Sequence, residues 1–198
     1  MCSTREDQDM VSDFTRRLTR FITARHRLDT PNAEQAALCV EDTVAVIYGG
    51  WHAPVVRRLA ALDGDEAATP VGSVGKRGVE RVAFLNAVAG HALDFDDVHT
   101  LSVTHPSVVL VPALLAMAEA RPETTARVAP ALAVGTAVNV ALGQVLGFGH
   151  YAKGWHATST IGAVAAAAAV AHQLALDEAA TGNALALAAS QAGGLQIN

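Results

Sequence analysis

The sequence predicts an all-α fold, a multi-helix bundle that forms one domain over residues 1–198. Hydrophobic residues make up 51% of the chain but aromatic residues only 5%, and alanine is very common. This composition favours helices that pack through small side chains, because strands are enriched in aromatic and β-branched residues. No segment shows a convincing alternation of apolar and polar residues, the pattern of a half-buried strand. A chain of this length can bury one sizeable core.

Three helices are predicted in the first third of the chain. The first is amphipathic, with Phe14 and Leu18 on one face and arginines near the other. The second follows Asn32, a suitable N-cap, and ends at a pair of glycines. The third is short, and residues 63–77 after it hold three glycines and a proline, which predicts a loop. These helices are predicted over residues 12–26, 33–48 and 55–62.

Five further helices follow. The fifth helix of the bundle begins at Pro106, a residue favoured in the first helical turn, and Arg121-Pro122 ends it. A glycine-rich turn over residues 147–154 separates the sixth helix from the seventh. The predicted ranges are 79–94, 106–120, 125–146, 158–174 and 178–192.

Composition and charge exclude several classes of protein. A net charge of −5 and the lack of a basic stripe argue against nucleic-acid binding. Residues 128–148 and 158–176 are apolar and long enough to span a bilayer, but they are rich in alanine, glycine and threonine and lack an aromatic belt. We therefore expect buried core helices and no membrane contact. Cys2 and Cys39 show no metal-ligand spacing, and the polar amino end has no signal-peptide core, so a cytoplasmic protein is expected.

Residues 86–107 concentrate carboxylates and imidazoles in a chain that is otherwise poor in charge. His91 and Asp94 are three residues apart and share a face of the predicted helix. The next acidic residues, Asp96 and Asp97, lie at its carboxyl end, where the helix dipole disfavours anions. They therefore need cationic or hydrogen-bonding partners, for which His99 and His105 are the nearest candidates. The alternative is an exposed acidic helix exit with unrelated histidines.

Two histidines precede predicted helix starts. His105 comes before Pro106-Ser107, and His156 comes before Ala157-Thr158. Free amide groups at a helix start attract anions, and a histidine can move a proton near neutral pH. Together these loops suggest a pocket for a small polyanion such as a di- or tricarboxylate, in which His99, Ser107 and Thr158 are candidate substrate-binding residues. The alternative is that both are capping turns whose histidines merely pack.

Two metal sites are open alternatives. Terpenoid synthases bind magnesium through Asp-Asp-x-x-Asp, but here Thr100 stands where Asp96-Asp97 would need a third carboxylate. A transition-metal site could instead use four residues with suitable donor atoms. These are His91, Asp94, His99 and His105.

Five sequence pieces together resemble the MmgE/PrpD family, which includes 2-methylcitrate dehydratases and cis-aconitate decarboxylases. They occur in family order over nearly the whole chain. The pieces are Cys39-Val-Glu-Asp-Thr43 with Gly49-Gly50, residues 86–99, His105-Pro-Ser-Val-Val-Leu-Val-Pro-Ala113, Gly154-Trp-His-Ala-Thr-Ser-Thr-Ile-Gly162, and Ala188-Ala-Ser-Gln-Ala-Gly-Gly-Leu-Gln-Ile-Asn198.

The resemblance implies a large helical domain followed by a smaller α+β domain, a homodimer, and an active site between the two domains. It implies chemistry on small carboxylates with no metal, iron-sulfur cluster or other obligatory cofactor. The family's catalytic residues carry over to Asp94, His105 and His156. The reaction would be dehydration or decarboxylation through an enediolate-like intermediate, with the substrate left open.

Three departures from the family pattern matter. Val98 stands where a threonine is common, and Gly135-Thr136-Ala137 stands where Gly-Tyr-Glu is common. The family lysine and the α+β domain would lie beyond Asn198. We therefore expect a truncated helical portion with little activity in isolation, completed by a separate chain if it acts as an enzyme. The alternative is a non-catalytic helical dimerisation or interaction module, or a truncated remnant.

Overall fold

The computed structural model describes residues 5–62 and 77–196, with side chains described from residue 13. Within these ranges the chain is helical, and the only β-structure is two isolated bridges, His99 with Thr104 and Trp155 with Leu195. The predicted all-α class is confirmed. The α-helices are α1 Arg5–Thr23, α2 Thr30–Gly50, α3 Pro54–Ala61, α4 Val79–His91, α5 Pro106–Ala120, α6 Val128–Ala152, α7 Ala157–Leu174 and α8 Glu178–Gln191, with a 3-10 helix at Pro122–Arg127.

Helix boundaries differ from the prediction where a cap or a glycine decides them. Asp29, rather than Asn32, caps α2, because its carboxylate accepts a hydrogen bond from the Asn32 backbone N–H. The predicted turn over residues 147–154 is a break within α6 at Gly147, whose φ of 58° interrupts the helix. The helix α4 ends at His91, three residues earlier than predicted. Residues 63–76 of the predicted loop over residues 63–77 lie outside the described residues.

The core consists of three adjoining clusters of buried side chains. Leu110, Val111 and Leu114 of α5 pack against Ala165 and Ala169 of α7. A second cluster joins α1, α6, α7 and α8, and a third joins α2, α3 and α4. Two helical segments, Pro122–Ala152 and Ala157–Leu174, are long and apolar enough to cross a membrane by length and composition. Both contribute side chains to the first two clusters, so they form part of the bundle interior.

Two glycines let the site-bearing elements approach closely. A Cβ added at Gly90 of α4 would lie 2.7 Å from the Val108 side chain of α5. A Cβ added at Gly143 of α6 would lie 2.3 Å from the Ser102 Cβ in the loop between α4 and α5. Distances this short leave no room for a side chain. The carboxyl end of α4, the loop after it and the amino end of α5 are therefore held tightly together.

Candidate active site

Three histidines from different helices meet at one end of the bundle. His91 is the last residue of α4, His105 immediately precedes α5, and His156 immediately precedes α7. The ring centroids of His91 and His105 are 5.0 Å apart, and those of His91 and His156 are 6.2 Å apart. The structure thus brings together the two loop histidines predicted from the sequence and adds His91 between them.

Asp96 is the buried carboxylate of this cluster. Its side chain is only 2% exposed, and its Oδ2 lies 2.9 Å from His91 Nδ1 and 3.3 Å from His105 Nδ1. The His91 contact is a hydrogen bond, whereas His105 Nδ1 is buried without a hydrogen bond to any described residue. Sequence reasoning noted Asp96 in an acidic run but did not select it. Its neighbour Phe95 is 75% exposed, so only the folded loop reveals that Asp96 turns inward.

Asp94, the aspartate selected from the sequence, lies at the exposed edge of the cluster. The prediction that His91 and Asp94 share a helix face is wrong, because α4 ends at His91 and Asp94 adopts a left-handed φ of 55°. Its carboxylate nevertheless stays near the histidines: a ligand oxygen of Asp94 lies within 4.8 Å of donor atoms on His91, Asp96 and His105. A direct role in catalysis stays a prediction.

Asp97 anchors the start of α5. Its Oδ1 accepts a hydrogen bond from the Ser107 backbone N–H at 3.0 Å, and the Ser107 hydroxyl donates to its Oδ2 at 2.5 Å. A carboxylate is favourable at a helix amino end. Both hydroxyls predicted to bind substrate already have protein partners, since Thr158 Oγ1 accepts from the His105 backbone N–H at 3.1 Å. Ser107 and Thr158 therefore hold the loop of His105 in place, and their contact with substrate stays a prediction.

His99 belongs to a separate polar chain that fixes the turn before His105. Its Nδ1 lies 2.9 Å from the Ser102 hydroxyl, which lies 2.7 Å from the Thr104 hydroxyl. Thr104 in turn donates to Asn139 Oδ1 of α6 at 2.7 Å. Ser102, Thr104 and Asn139 are buried. This chain explains the lone asparagine in an apolar helix, and substrate binding by His99 stays a prediction.

The loop of His156 is held by residues near the end of the described chain. The His156 backbone N–H donates to Gly194 O at 3.0 Å, and the Gln196 backbone N–H donates to Gly154 O at 2.9 Å. Gly194 has a φ of 138°, and a Cβ there would lie 1.9 Å from Ser159 Oγ. Only glycine fits this position, so the Gly-Gly-Leu-Gln piece acts as a clamp on the His156 loop.

The surroundings shift the pKa values of two of the histidines in opposite directions. The pKa of His91 is raised, chiefly by its hydrogen bond to Asp96, which outweighs the effect of partial burial, and the charges of Asp96 and Asp94 add to it. The pKa of His156 is lowered by burial first and then by the positive charge of His91 and His105. At a given pH, His91 is therefore more readily protonated than a free imidazole, and His156 is less readily protonated. Opposite shifts of this kind characterise acid and base pairs.

A cavity of about 420 Å³ opens beside His105 and His156. This volume suits a small-molecule ligand. A larger groove of about 510 Å³ lies between α1, α6, α7 and α8, but its lining is mostly apolar and His150 is its only ionisable residue. The cavity beside His105 and His156 contains two ionisable imidazoles; its lining is Val98, Thr100, Val103, Thr104, His105, Phe148, Tyr151, His156 and Thr158.

Comparison with known proteins identifies the family. Residues 16–198 match the MmgE/PrpD N-terminal domain. The chain belongs to the MmgE/PrpD family. It is 29% identical to a cis-aconitate decarboxylase-like protein, oryM, of Aspergillus oryzae, over 96% of this chain and 42% of that protein. It is 36% identical to the cis-aconitate decarboxylase of Homo sapiens over 59% of this chain and 25% of the relative. It is 35% identical to the cis-aconitate decarboxylase of Mus musculus over 56% of this chain and 24% of that relative. The chain thus spans less than half the length of these curated relatives.

Two departures from the MmgE/PrpD pattern fall in different surroundings. Val98, where family members often carry threonine, lines the site cavity, so methyl groups replace a hydroxyl there. Ala137, where the family often carries glutamate, is exposed on α6. The preceding Gly135 is tightly packed, because a Cβ there would lie 2.8 Å from Ala169 Cβ. The first departure therefore bears on the cavity, whereas the second removes a carboxylate from an exposed position.

The histidine cluster also has the donor atoms of a metal site. Among the described residues, His91, Asp94, Asp96 and His105 bring one ligand atom each to within 4.8 Å of one another. Imidazole and carboxylate donors suit zinc, manganese or iron. Asp96 takes the place that the sequence alternative gave to His99. The magnesium alternative is not supported, because Asp96 and Asp97 face different partners, the histidines and Ser107 respectively. The expectation that no metal is needed stays a prediction.

Proposed function

We propose that this chain is the histidine-bearing helical portion of a carboxylate lyase that acts on a small di- or tricarboxylate. The observation that carries the proposal is the cluster of His91, His105 and His156 around buried Asp96, beside a cavity of about 420 Å³. Imidazoles in such a cluster can bind carboxylates and exchange protons in the same site. The family relationship supports lyase chemistry and leaves the individual reaction open.

Decarboxylation is the first candidate reaction. The carbon–carbon bond to one carboxylate breaks, carbon dioxide leaves, and the electron pair stays on the substrate as an enediolate-like intermediate. Positive charge aimed at the intermediate's oxygens stabilises it, and an imidazolium then delivers a proton to carbon. We assign His105 and His156 to carboxylate binding and proton transfer, with Asp94 orienting a histidine or moving a proton. Two relatives named cis-aconitate decarboxylase support this choice.

Dehydration of a hydroxylated carboxylate, as in 2-methylcitrate dehydratases, is the second candidate. A base removes the proton next to a carboxylate, and the β-hydroxyl leaves as water after it receives a proton from an acid. The lowered pKa of His156 favours the base role for this residue. The raised pKa of His91 makes a proton donor available in the same cluster. The two reactions share their intermediate, so the same residues serve both.

We further propose that additional polypeptide supplies the second wall of the site, from a homodimer partner or from a separate chain. The cavity is open on one side, and Val98 and Phe148 in its lining are largely exposed. Water in an open site weakens its electrostatic interactions. We therefore expect little turnover from this chain alone. A helical dimerisation module without catalysis is the competing function.

Binding of a tricarboxylate to the purified chain tests the proposal. We expect cis-aconitate to shift the imidazole NMR signals of His105 and His156, and His156→Ala to reduce its affinity. The exposed His52→Ala serves as the control. Self-association in analytical ultracentrifugation with no shift of these signals would favour the dimerisation module instead.

A further inference from the structure

A second polar cavity, of about 450 Å³, lies where α7 ends, whereas the candidate active site lies where α7 begins. The end of α1 with the loop after it, the start of α6 and the end of α7 line this cavity. No aspartate or glutamate is among the described residues of the lining, and its ionisable side chains are all arginines or histidines. They are Arg25, His26, Arg27, Arg127 and His172. A cavity lined by one sign of charge attracts a ligand of the opposite sign.

The positive charge of the three arginines is not neutralised by nearby carboxylates. None of the three has an ion-pair partner among the residues whose side chains the structure describes. The acidic residues that follow the lining segments have other contacts, since Asp29 caps α2 and Asp177 caps α8. Glu178 pairs with an arginine of α1 at 3.6 Å. Glu123 precedes Arg127 by four residues and makes no ion pair with it.

Two helix ends reduce this positive charge without cancelling it. The helix α1 ends at Thr23 and α7 ends at Leu174, and both ends adjoin the cavity. The carboxyl end of a helix acts as about half a negative charge, so the two ends together offset roughly one of the three guanidinium charges. Arginines that served only to complement the helix ends would leave the remaining positive charge without a role.

Hydrogen bonds hold part of the lining in place and leave donors for a ligand. Arg127 Nη1 donates to Gln173 O at 3.0 Å, and a guanidinium has further N–H groups that this bond does not use. His172 Nδ1 lies 2.6 Å from Ile22 O. A carbonyl oxygen only accepts, so this Nδ1 carries hydrogen and Nε2 is the ring nitrogen left for a ligand. Groups that the protein already orients cost less to order on binding.

We propose that this cavity binds the phosphate group of a small phosphorylated molecule. A phosphomonoester carries a charge of about −1.5 to −2 on one group with three acceptor oxygens, and guanidinium groups pair with such oxygens two at a time. A tricarboxylate spreads its charge over separate groups and fits less well. Ile22, Pro130 and Leu176 in the lining suit the organic part of the ligand. This site does not depend on the function proposed for the other end of the bundle.

The test is binding of phenyl phosphate and inorganic phosphate to the 198-residue chain at constant pH and ionic strength. The imidazole NMR signals of His26 and His172 report the binding. We expect phenyl phosphate to shift both signals and to bind more tightly than inorganic phosphate, and we expect cis-aconitate at equal concentration not to displace it. Equal or tighter binding of inorganic phosphate would overturn the organic ligand in favour of free phosphate. No shift with either probe would overturn the site itself.

Paired substitutions separate a built site from general electrostatic attraction. Arg25→Gln with Arg27→Gln should lower the affinity for phenyl phosphate at least about tenfold, because charge-assisted hydrogen bonds are lost. Arg57→Gln with Arg58→Gln is the matched control, since these exposed arginines of α3 also lack an ion-pair partner among the described residues and lie outside the lining. An equal loss in the control would overturn the proposal. Arg127→Lys keeps the charge but loses the planar fork, so its affinity should also fall, and wild-type affinity would contradict the site even if the first variant did not fold.

Discussion

Two ends of the same bundle each carry a histidine group, and the groups differ in what their ring nitrogens contact. At the end opposite the site, the rings of His26 and His172 lie 5.5 Å apart, much as His91 and His105 do. There, His172 Nδ1 lies 2.6 Å from Ile22 O, and His26 Nε2 lies 2.7 Å from Phe21 O. Both contacts are with backbone carbonyls at the end of α1. At the site end, a buried carboxylate takes that place. A cavity adjoins the rings at both ends, of about 420 Å³ at the site end and about 450 Å³ beside His26 and His172.

This difference shows that proximity of histidines does not make a site. A carbonyl partner fixes a ring and satisfies an orphan acceptor at a helix end. A carboxylate partner fixes the ring and also favours its protonated form. A protonated ring can attract an anionic ligand. Arg127 serves the far end in the same structural way, because its guanidinium donates to Gln173 O in the last turn of α7. The described contacts of the far-end histidines are therefore structural, whereas the near end is where we propose that the chemistry takes place.

The largest expected effect is on turnover. In a full-length family enzyme that carries these residues, His105→Ala and His156→Ala should each lower kcat/KM by at least about tenfold, since proton transfer by a positioned group contributes more than this. Steady-state assays with cis-aconitate measure the effect, and His52→Ala is the control. Near-normal rates in both variants would remove the site assignment.

The opposite result is expected at the far end. His172→Ala should lower the free energy of unfolding by about 1–2 kcal/mol, because Ile22 O loses its hydrogen-bond donor. Its affinity for cis-aconitate should stay at the wild-type value. Urea denaturation and ligand titration on the same samples measure both quantities. A loss of ligand affinity with unchanged stability would reverse the assignment of the two ends.

Gly194→Ala sharpens the comparison by disturbing the site end alone. The new Cβ would clash with Ser159 Oγ, and the alanine would have to adopt a φ of 138°. The contact between this segment and the His156 loop should therefore shift. We expect ligand affinity to fall several-fold, because strain of this kind is of order 1–3 kcal/mol and acts directly beneath His156. The contacts of His172 should be unaffected, which its NMR signal reports. Wild-type affinity would show that the clamp does not position His156.

The smallest effect is the pH dependence of stability. The raised pKa of His91 contributes stability that is present below its ordinary value of 6.5 and is lost as pH rises through the folded-state pKa. The lowered pKa of His156 acts in the opposite sense, with stability lost as pH falls below 6.5. The two contributions therefore oppose each other in the urea midpoints between pH 5 and 8. His156→Ala should be stabilised relative to the wild type on the acidic side, and an equal change at all pH values would contradict this.

The sequence predicted the all-α class and the meeting of His105 with His156, because both follow from local signals at helix starts. It did not predict that Asp96, and not Asp94, is buried between histidines. That choice depends on the loop after α4, which Gly143 and the Ser102–Thr104–Asn139 chain hold against α6. The partner of Ser107 was missed for the same reason, since Asp97 reaches the start of α5 only after the loop folds back. The burial of Asp96 and the pairing of Asp97 with Ser107 both depend on contacts between elements that are distant in the sequence, and local sequence patterns do not reveal such contacts.

The most direct test of the account is an imidazole NMR titration of the chain with cis-aconitate, in which all eight histidines are followed together. The account predicts shifts at His91, His105 and His156, and unchanged signals at His26 and His172. Shifts at the His26–His172 end, or no shifts at the three clustered histidines, would contradict it.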